Sequence, residues 1–165
     1  MKLPILRILL LLAVACPVGF AREQYAVMVG PLFHWYFSGQ GVKKSLSLEV
    51  SLWRFLDSQP TGLGADVGWE HEFGGPTRVY GELQGSVATV TNQSPRMFGG
   101  SLGPVLELGK AGRAYGVQGS LWGPFPLLLG DLRFRTGKGL ANAFGVGLFT
   151  KVPVYFNHAT QMLKM

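Results

Sequence analysis

The chain has 165 residues, enough for one domain with a sizeable core. Its 24 glycines are about twice the usual share of roughly 7%, and its 15% charged residues fall well below the roughly 25% of ordinary soluble domains. The basic excess is scattered, with no run beyond Lys43-Lys44, and this excludes the concentrated basic face that nucleic-acid binding requires.

The chain opens with Lys2 and Arg7, then the apolar run Ile8 to Cys16, then the small-residue site Gly19-Phe20-Ala21. This layout predicts a cleaved secretory signal peptide over residues 1–21, since the run is too short to span a bilayer as a helix. Cys16 is the only cysteine, so cleavage leaves a mature chain without disulfides. Acylation of Cys16 is the other reading of this segment. Ala13-Val14-Ala15 matches that signal poorly, because a leucine is usual where Ala13 stands.

Residues 22–156 read as a succession of strands, with almost no helical periodicity. Tyr25 to Phe37 is apolar-rich and interrupted by Pro31. Ser45 to Leu52 alternates strictly, with Leu46, Leu48, Val50 and Leu52 on one face and Ser45, Ser47, Glu49 and Ser51 on the other. Leu63 to His71 repeats this, with Gly64, Asp66, Gly68 and Glu70 on the polar side. Glu82 to Val87 follows, then Ser101 to Leu108 with Pro104, and then Tyr115 to Trp122, where Gln118 and Ser120 oppose Val117 and Leu121. Leu128 to Thr136 sets Asp131, Arg133 and Arg135 against Leu132 and Phe134, and Asn142 to about Val152 closes the set just before Pro153. The prolines predict bulges or strand ends, because proline donates no ladder hydrogen bond. Two of them sit in Gly-Pro steps, VGPLF and LGPVL. Clusters of glycine, proline, serine, asparagine and aspartate separate the strands as turns, and none resembles an interdomain linker. One all-β domain of about eight antiparallel strands is predicted, followed by a tail over 157–165.

Alternation alone leaves open which face is inside. The polar face carries small groups such as Ser45, Ser47, Gly64 and Ser120, where a water-facing surface would carry more lysine and glutamate. A narrow interior needs small residues and a few mutually paired charges. The predicted lumen network is Glu49, Asp66, Glu70, Arg78, Glu82, Glu107, Asp131, Arg133 and Arg135. Aromatic residues gather near strand ends, and Trp35, Tyr36, Trp53, Phe55, Trp122, Phe125, Tyr155 and Phe156 are predicted to form interfacial girdles. The expected architecture is a transmembrane up-and-down β-barrel.

In these segments, Ser45–Leu52, Leu63–Glu72 and Leu128–Arg135 above all, the chain resembles small outer-membrane barrels of the OmpA/OmpX type. The resemblance is one of pattern and covers nearly all of residues 22–156. It implies an even strand number, both termini in the periplasm, surrounding outer-membrane lipid and insertion by the outer-membrane assembly machinery. Two features depart from the type: every connection is short, and Phe156 is followed by a nine-residue tail, Asn157 to Met165.

The reading that follows is a non-enzymatic outer-membrane barrel with a structural or envelope-interaction role and no cofactor. A lipid-modifying acyl hydrolase or transferase is the alternative. It would use His34 as base, Ser45 or Ser47 as nucleophile and Glu70 as carboxylate. A soluble periplasmic barrel carrying an apolar ligand is a third. No metal site is expected at Glu70-His71-Glu72, because in a strand His71 faces away from both glutamates. The glycine-rich stretch Gly137 to Gly147 lacks the lysine and the strand-to-helix setting of a phosphate loop.

Overall fold

The computed structural model describes residues 23–56, 61–91, 94–109, 112–125 and 128–156. The predicted signal peptide and the C-terminal tail lie outside these residues. Nine strands follow one another: β1 (Glu23–Ser38), β2 (Gly41–Leu56), β3 (Thr61–Glu72), β4 (Thr77–Thr91), β5 (Ser94–Gly109), β6 (Gly112–Phe125), β7 (Leu128–Lys138), β8 (Ala143–Phe149) and β9 (Val152–Phe156). From β1 to β8 each pairs antiparallel with the next, and β1 pairs with β2 on one side and with β8 and β9 on the other, which closes the sheet. β8 and β9 meet β1 in one register, Leu32 opposite Phe149 and Val29 opposite Val152, so they are two parts of one staved strand. The result is a closed eight-strand barrel.

Several strands outrun the alternating segments that announce them. β2 begins at Gly41 and takes in Lys43 and Lys44, which sequence reasoning assigns to a turn. The ladder continues as long as a partner strand is present, and Lys43 and Lys44 pair with Tyr36 and Trp35. The reversal itself is confined to Gly39-Gln40, followed by Gly41 at φ 100°, a conformation that L side chains rarely adopt.

The two Gly-Pro steps turn out to do the same thing. Between β1 and β8/β9 the pairing lapses opposite Gly30-Pro31, and between β4 and β5 it lapses opposite Gly103-Pro104. At both places the facing backbone carbonyl, of Thr150 or of Gly81, occupies the space a Cβ would need. Thr150 N–H donates to the Pro31 carbonyl at 3.3 Å, so the missing N–H of Pro31 points to the side where the ladder is already open. These prolines therefore mark gaps in the ladder with the register kept. Pro153 differs: a register shift between Val27 and Met28 leaves Val154 unpaired and exposed beside it, which is a bulge.

The polarity of the barrel is inverted relative to a soluble protein. Leu48, Leu63, Leu83 and Leu121 stand on the outside at 51–65% exposure, whereas Ser45, Glu49, Glu70, Asp131 and Arg133 are at most 2% exposed within. A soluble carrier would bury the first set and expose the second.

Candidate functional site

The register of the strands sets the interior out in rows. Across β2 to β5, Ser47, Glu70, Arg78 and Glu107 stand side by side. Arg78 at the centre donates to three carboxylates: Glu70 at 2.8 Å, Glu72 at 2.7 Å and Glu107 at 2.7 Å. Glu70 accepts in addition from Arg135 at 2.9 Å and from the Tyr36 hydroxyl at 2.8 Å. The Arg135 guanidinium lies over the Tyr36 ring, 3.9 Å from its centroid. This cluster lies towards the end of the barrel that carries the β1–β2 and β3–β4 turns.

A second cluster lies across the middle. The His34 Nε2–H donates to Asp131 at 2.7 Å, and Arg133 lies 3.3 Å from Asp131 and 3.5 Å from Glu49. Glu49 also accepts from Lys151, from the Tyr80 hydroxyl at 3.1 Å and from Gln84 at 3.4 Å. Lys151 donates to Ser51 at 2.8 Å as well. Charges this deep are tolerable only when each meets an opposite partner and several hydrogen bonds. Asp66 and Glu82 are held otherwise. Glu82 accepts from Gln118 at 2.7 Å and from Ser101, and Asp66 accepts from the Glu82 backbone N–H at 3.2 Å. The expectation that arginines would pair with these two acids is corrected: amides and hydroxyls hold them.

Glycine makes the clusters fit. His34, Gly147 and Asp131 are neighbours in one row, and the imidazole lies across Gly147, where a Cβ would stand, to reach Asp131 two strands away. Tyr80 crosses Gly68 to reach Glu49 in the same way. Trp122 lies across Gly99, and Tyr36 across Gly145. The high glycine content thus includes the seats that inward-turned rings require in a narrow lumen.

The predicted girdle is corrected at several positions. Tyr36 and Trp53 are each 2% exposed and turned inward, and Trp122 shares the inward face of Gln118 and Ser120. Trp53 stacks with Phe55 at 5.9 Å and meets Trp122 edge-on at 5.7 Å. Nearness to a strand end suggested the lipid interface, but parity decides: Tyr36 is two residues from His34, and Trp53 is two from Ser51. Trp35 does face outward, packed edge-on against Phe33 at 4.5 Å. Phe37, Trp69 and Phe73 are also outward and exposed, towards the same end. The side chains of Phe125, Tyr155 and Phe156 lie outside the described residues.

The alternative catalytic set is not assembled. His34 and Ser45 are cross-strand partners, yet the His34 imidazole engages Asp131 and its Nδ1 has no hydrogen-bond partner. Neither Ser45 nor Ser47 has a hydroxyl partner, and Glu70 is committed to two arginines and a tyrosine. A nucleophile needs a hydrogen bond to its base, and neither serine makes one to His34; the carboxylate that holds His34 is Asp131 and not Glu70. Among the described residues no cluster of three or more histidine, cysteine or acidic side chains is arranged to hold a metal ion.

The predicted lumen network omits Lys151, Glu72, Tyr80 and Gln118, although Gln118 and Glu72 stand on strand faces already read as polar. Lys151 was recoverable, because it continues the inward parity of Gly145, Gly147 and Phe149.

No family model matches the chain, and no curated protein matches it. Among solved structures, the chain is similar to Neisserial surface protein A (NspA), known from a crystal structure. The two share 15% sequence identity at a TM-score of 0.56, over 79% of this chain and 96% of that one. At that identity the likeness is one of fold: a small closed antiparallel barrel.

Proposed function

We propose that the chain is a resident of a bacterial outer membrane, a non-enzymatic barrel with a structural or envelope-interaction role. The observation that carries this reading is the inverted polarity. A belt of exposed leucine, valine and phenylalanine surrounds an interior of paired charges. In water such a surface would drive aggregation; in hydrocarbon it is the favourable one, because closed barrels leave no backbone edge unpaired. The predicted leader, residues 1–21, supplies export, and the assembly machinery of the outer membrane supplies insertion. Outer-membrane lipids are then the partners of the outer face.

The experiment is fractionation of cells expressing the full chain. The protein is expected to stay with outer membranes after alkaline washing and to migrate differently on gels before and after heating. Release with the periplasmic contents would overturn the reading. An unchanged lipid A profile on expression of the chain, and on His34→Ala substitution, is the outcome expected of a barrel without acyl-transfer or deacylation activity.

A further inference from the structure

The polar network does not fill the barrel. Beside the Glu49–Arg133 layer, towards the end that carries the β2–β3 connection, a cavity of about 160 Å³ remains. Met28 and Leu32 of β1, Trp53 of β2, Trp122 of β6 and Phe149 of β8 supply its walls. The rings stand edge to face, Trp53 and Trp122 at 5.7 Å between centroids, Trp122 and Phe149 at 6.3 Å.

Charged residues border the space, but their polar atoms are engaged or enclosed. Glu49 accepts from Lys151 and Tyr80 and lies beside Arg133, and Asp131 Oδ2 meets His34 and Arg133. The atoms left without partners are Arg133 Nε and Nη1, Asp131 Oδ1, Gln84 Oε1 and Trp122 Nε1. They have almost no accessible surface and offer nothing to a molecule in the cavity. The surface that the cavity does present is almost wholly apolar.

That surface selects its occupant. A bound water needs about two to four polar partners, which such walls do not supply. An apolar cavity of roughly 150 Å³ stays dry and takes a benzene-sized body. A hydroxyl or a charge is rejected, because it would give up its water and receive no hydrogen bond in return. The rings of Trp53, Trp122 and Phe149 add edge-to-face contacts to an aromatic guest. A way in lies beside Phe149. The β7–β8 ladder ends at Gly130 opposite Leu148, and among the described residues Val152–Phe156 pairs with β1 alone.

We propose that this cavity is a binding site for a small apolar ligand, a single aromatic ring without a polar head. The ring lies between Trp53, Trp122 and Phe149, with Met28 and Leu32 against its remaining face. The proposal rests on the interior of the barrel and does not depend on which membrane surrounds it.

The chain has four tryptophans, which makes 5-fluorotryptophan labelling with ¹⁹F NMR a suitable test. Trp53 and Trp122 line the cavity, whereas Trp35 and Trp69 face outward and report partitioning into detergent. The full chain, refolded in micelles, is titrated with toluene, p-cresol and benzoate, and the signals are assigned with Trp35→Phe and Trp69→Phe. Saturable shifts confined to Trp53 and Trp122 are expected for toluene. The p-cresol response should be about tenfold weaker or more, and benzoate should give none. Ser120→Leu, which fills the cavity, is expected to abolish the toluene response while heat-modifiable migration persists; where that variant does not fold, Leu32→Phe serves instead. Shifts that rise together at every tryptophan, p-cresol binding as tightly as toluene, a response to benzoate, no response to toluene, or a response that survives filling would each overturn the proposal.

Discussion

Glu70→Gln tests whether buried pairing holds the barrel interior together. The substitution keeps the volume and one acceptor oxygen but removes the charge that answers two arginines. Arg78 retains Glu72 and Glu107 at 2.7 Å, so its loss is partial. Arg135 has no other ion-pair partner among the described residues and keeps only its stacking on Tyr36. Removing one partner from a buried pair costs about 3–5 kcal/mol in general, and the surviving contacts of Arg78 place this case near the lower figure, about 3 kcal/mol. With a urea slope of about 2 kcal/mol/M, the midpoint should fall by roughly 1.5 M. The assay is reversible urea unfolding in lipid vesicles, followed by tryptophan emission and by heat-modifiable migration. In Glu70→Gln/Arg135→Met the orphaned cation is gone, and at least about 1 kcal/mol of the loss should return. A single variant within about 0.5 kcal/mol of the parent, or a double variant that is worse than the sum of its parts, would refute the pairing argument.

Leu83→Arg places a cation on the outer face at a position 65% exposed. In hydrocarbon it should destabilise by about 2–4 kcal/mol, whereas on a watery surface it would fall within about 0.5 kcal/mol, so the same unfolding assay separates the two environments. Gly147→Val should displace the His34 imidazole from its seat and cost at least about 2 kcal/mol; adding His34→Ala should recover part of this, and no recovery would contradict the seat. At the first Gly-Pro step the two residues should behave oppositely. Gly30→Ala collides with the Thr150 carbonyl and should impair folding, read as lost heat-modifiable product, while Pro31→Ala removes no ladder bond and should stay within about 0.5 kcal/mol of the parent.

How far the sequence reveals this molecule depends on the length over which a signal is written. Ser45–Leu52 alternates over eight residues, and every position in it faces as parity requires, because a one-residue slip would invert all of them at once. The inward acids and arginines of β3, β4 and β7 follow from the same rule. Partnership among them does not. Arg78 meets Glu107 because β4 and β5 align at that register, and nothing local in either strand states the alignment. The aromatic residues show a different failure. Proximity to a strand end points Tyr36 and Trp53 to the lipid interface, but parity is the stronger signal and places both inside. The Gly-Pro steps were visible as a repeated string, but their shared role appears only when the facing strands, β8/β9 and β4, are in place.

The feature that ties composition to architecture is the seating of rings on glycine. In an eight-strand lumen filled by its own side chains, a ring that lies flat against the wall takes the space of its cross-strand neighbour's side chain. His34 reaches a carboxylate two strands away across Gly147, and Tyr80 does so across Gly68, each over a residue without a Cβ. Glycine weakens a strand, so an excess of it in strand interiors calls for a compensating gain. Here the gain is a hydrogen bond to a buried carboxylate that would otherwise lack part of its coordination. Glycine at inward positions and polar aromatics one strand over are therefore two halves of one requirement. A chain that altered one half alone would lose the layer of paired charge that keeps Glu49 and Asp131 tolerable inside the barrel.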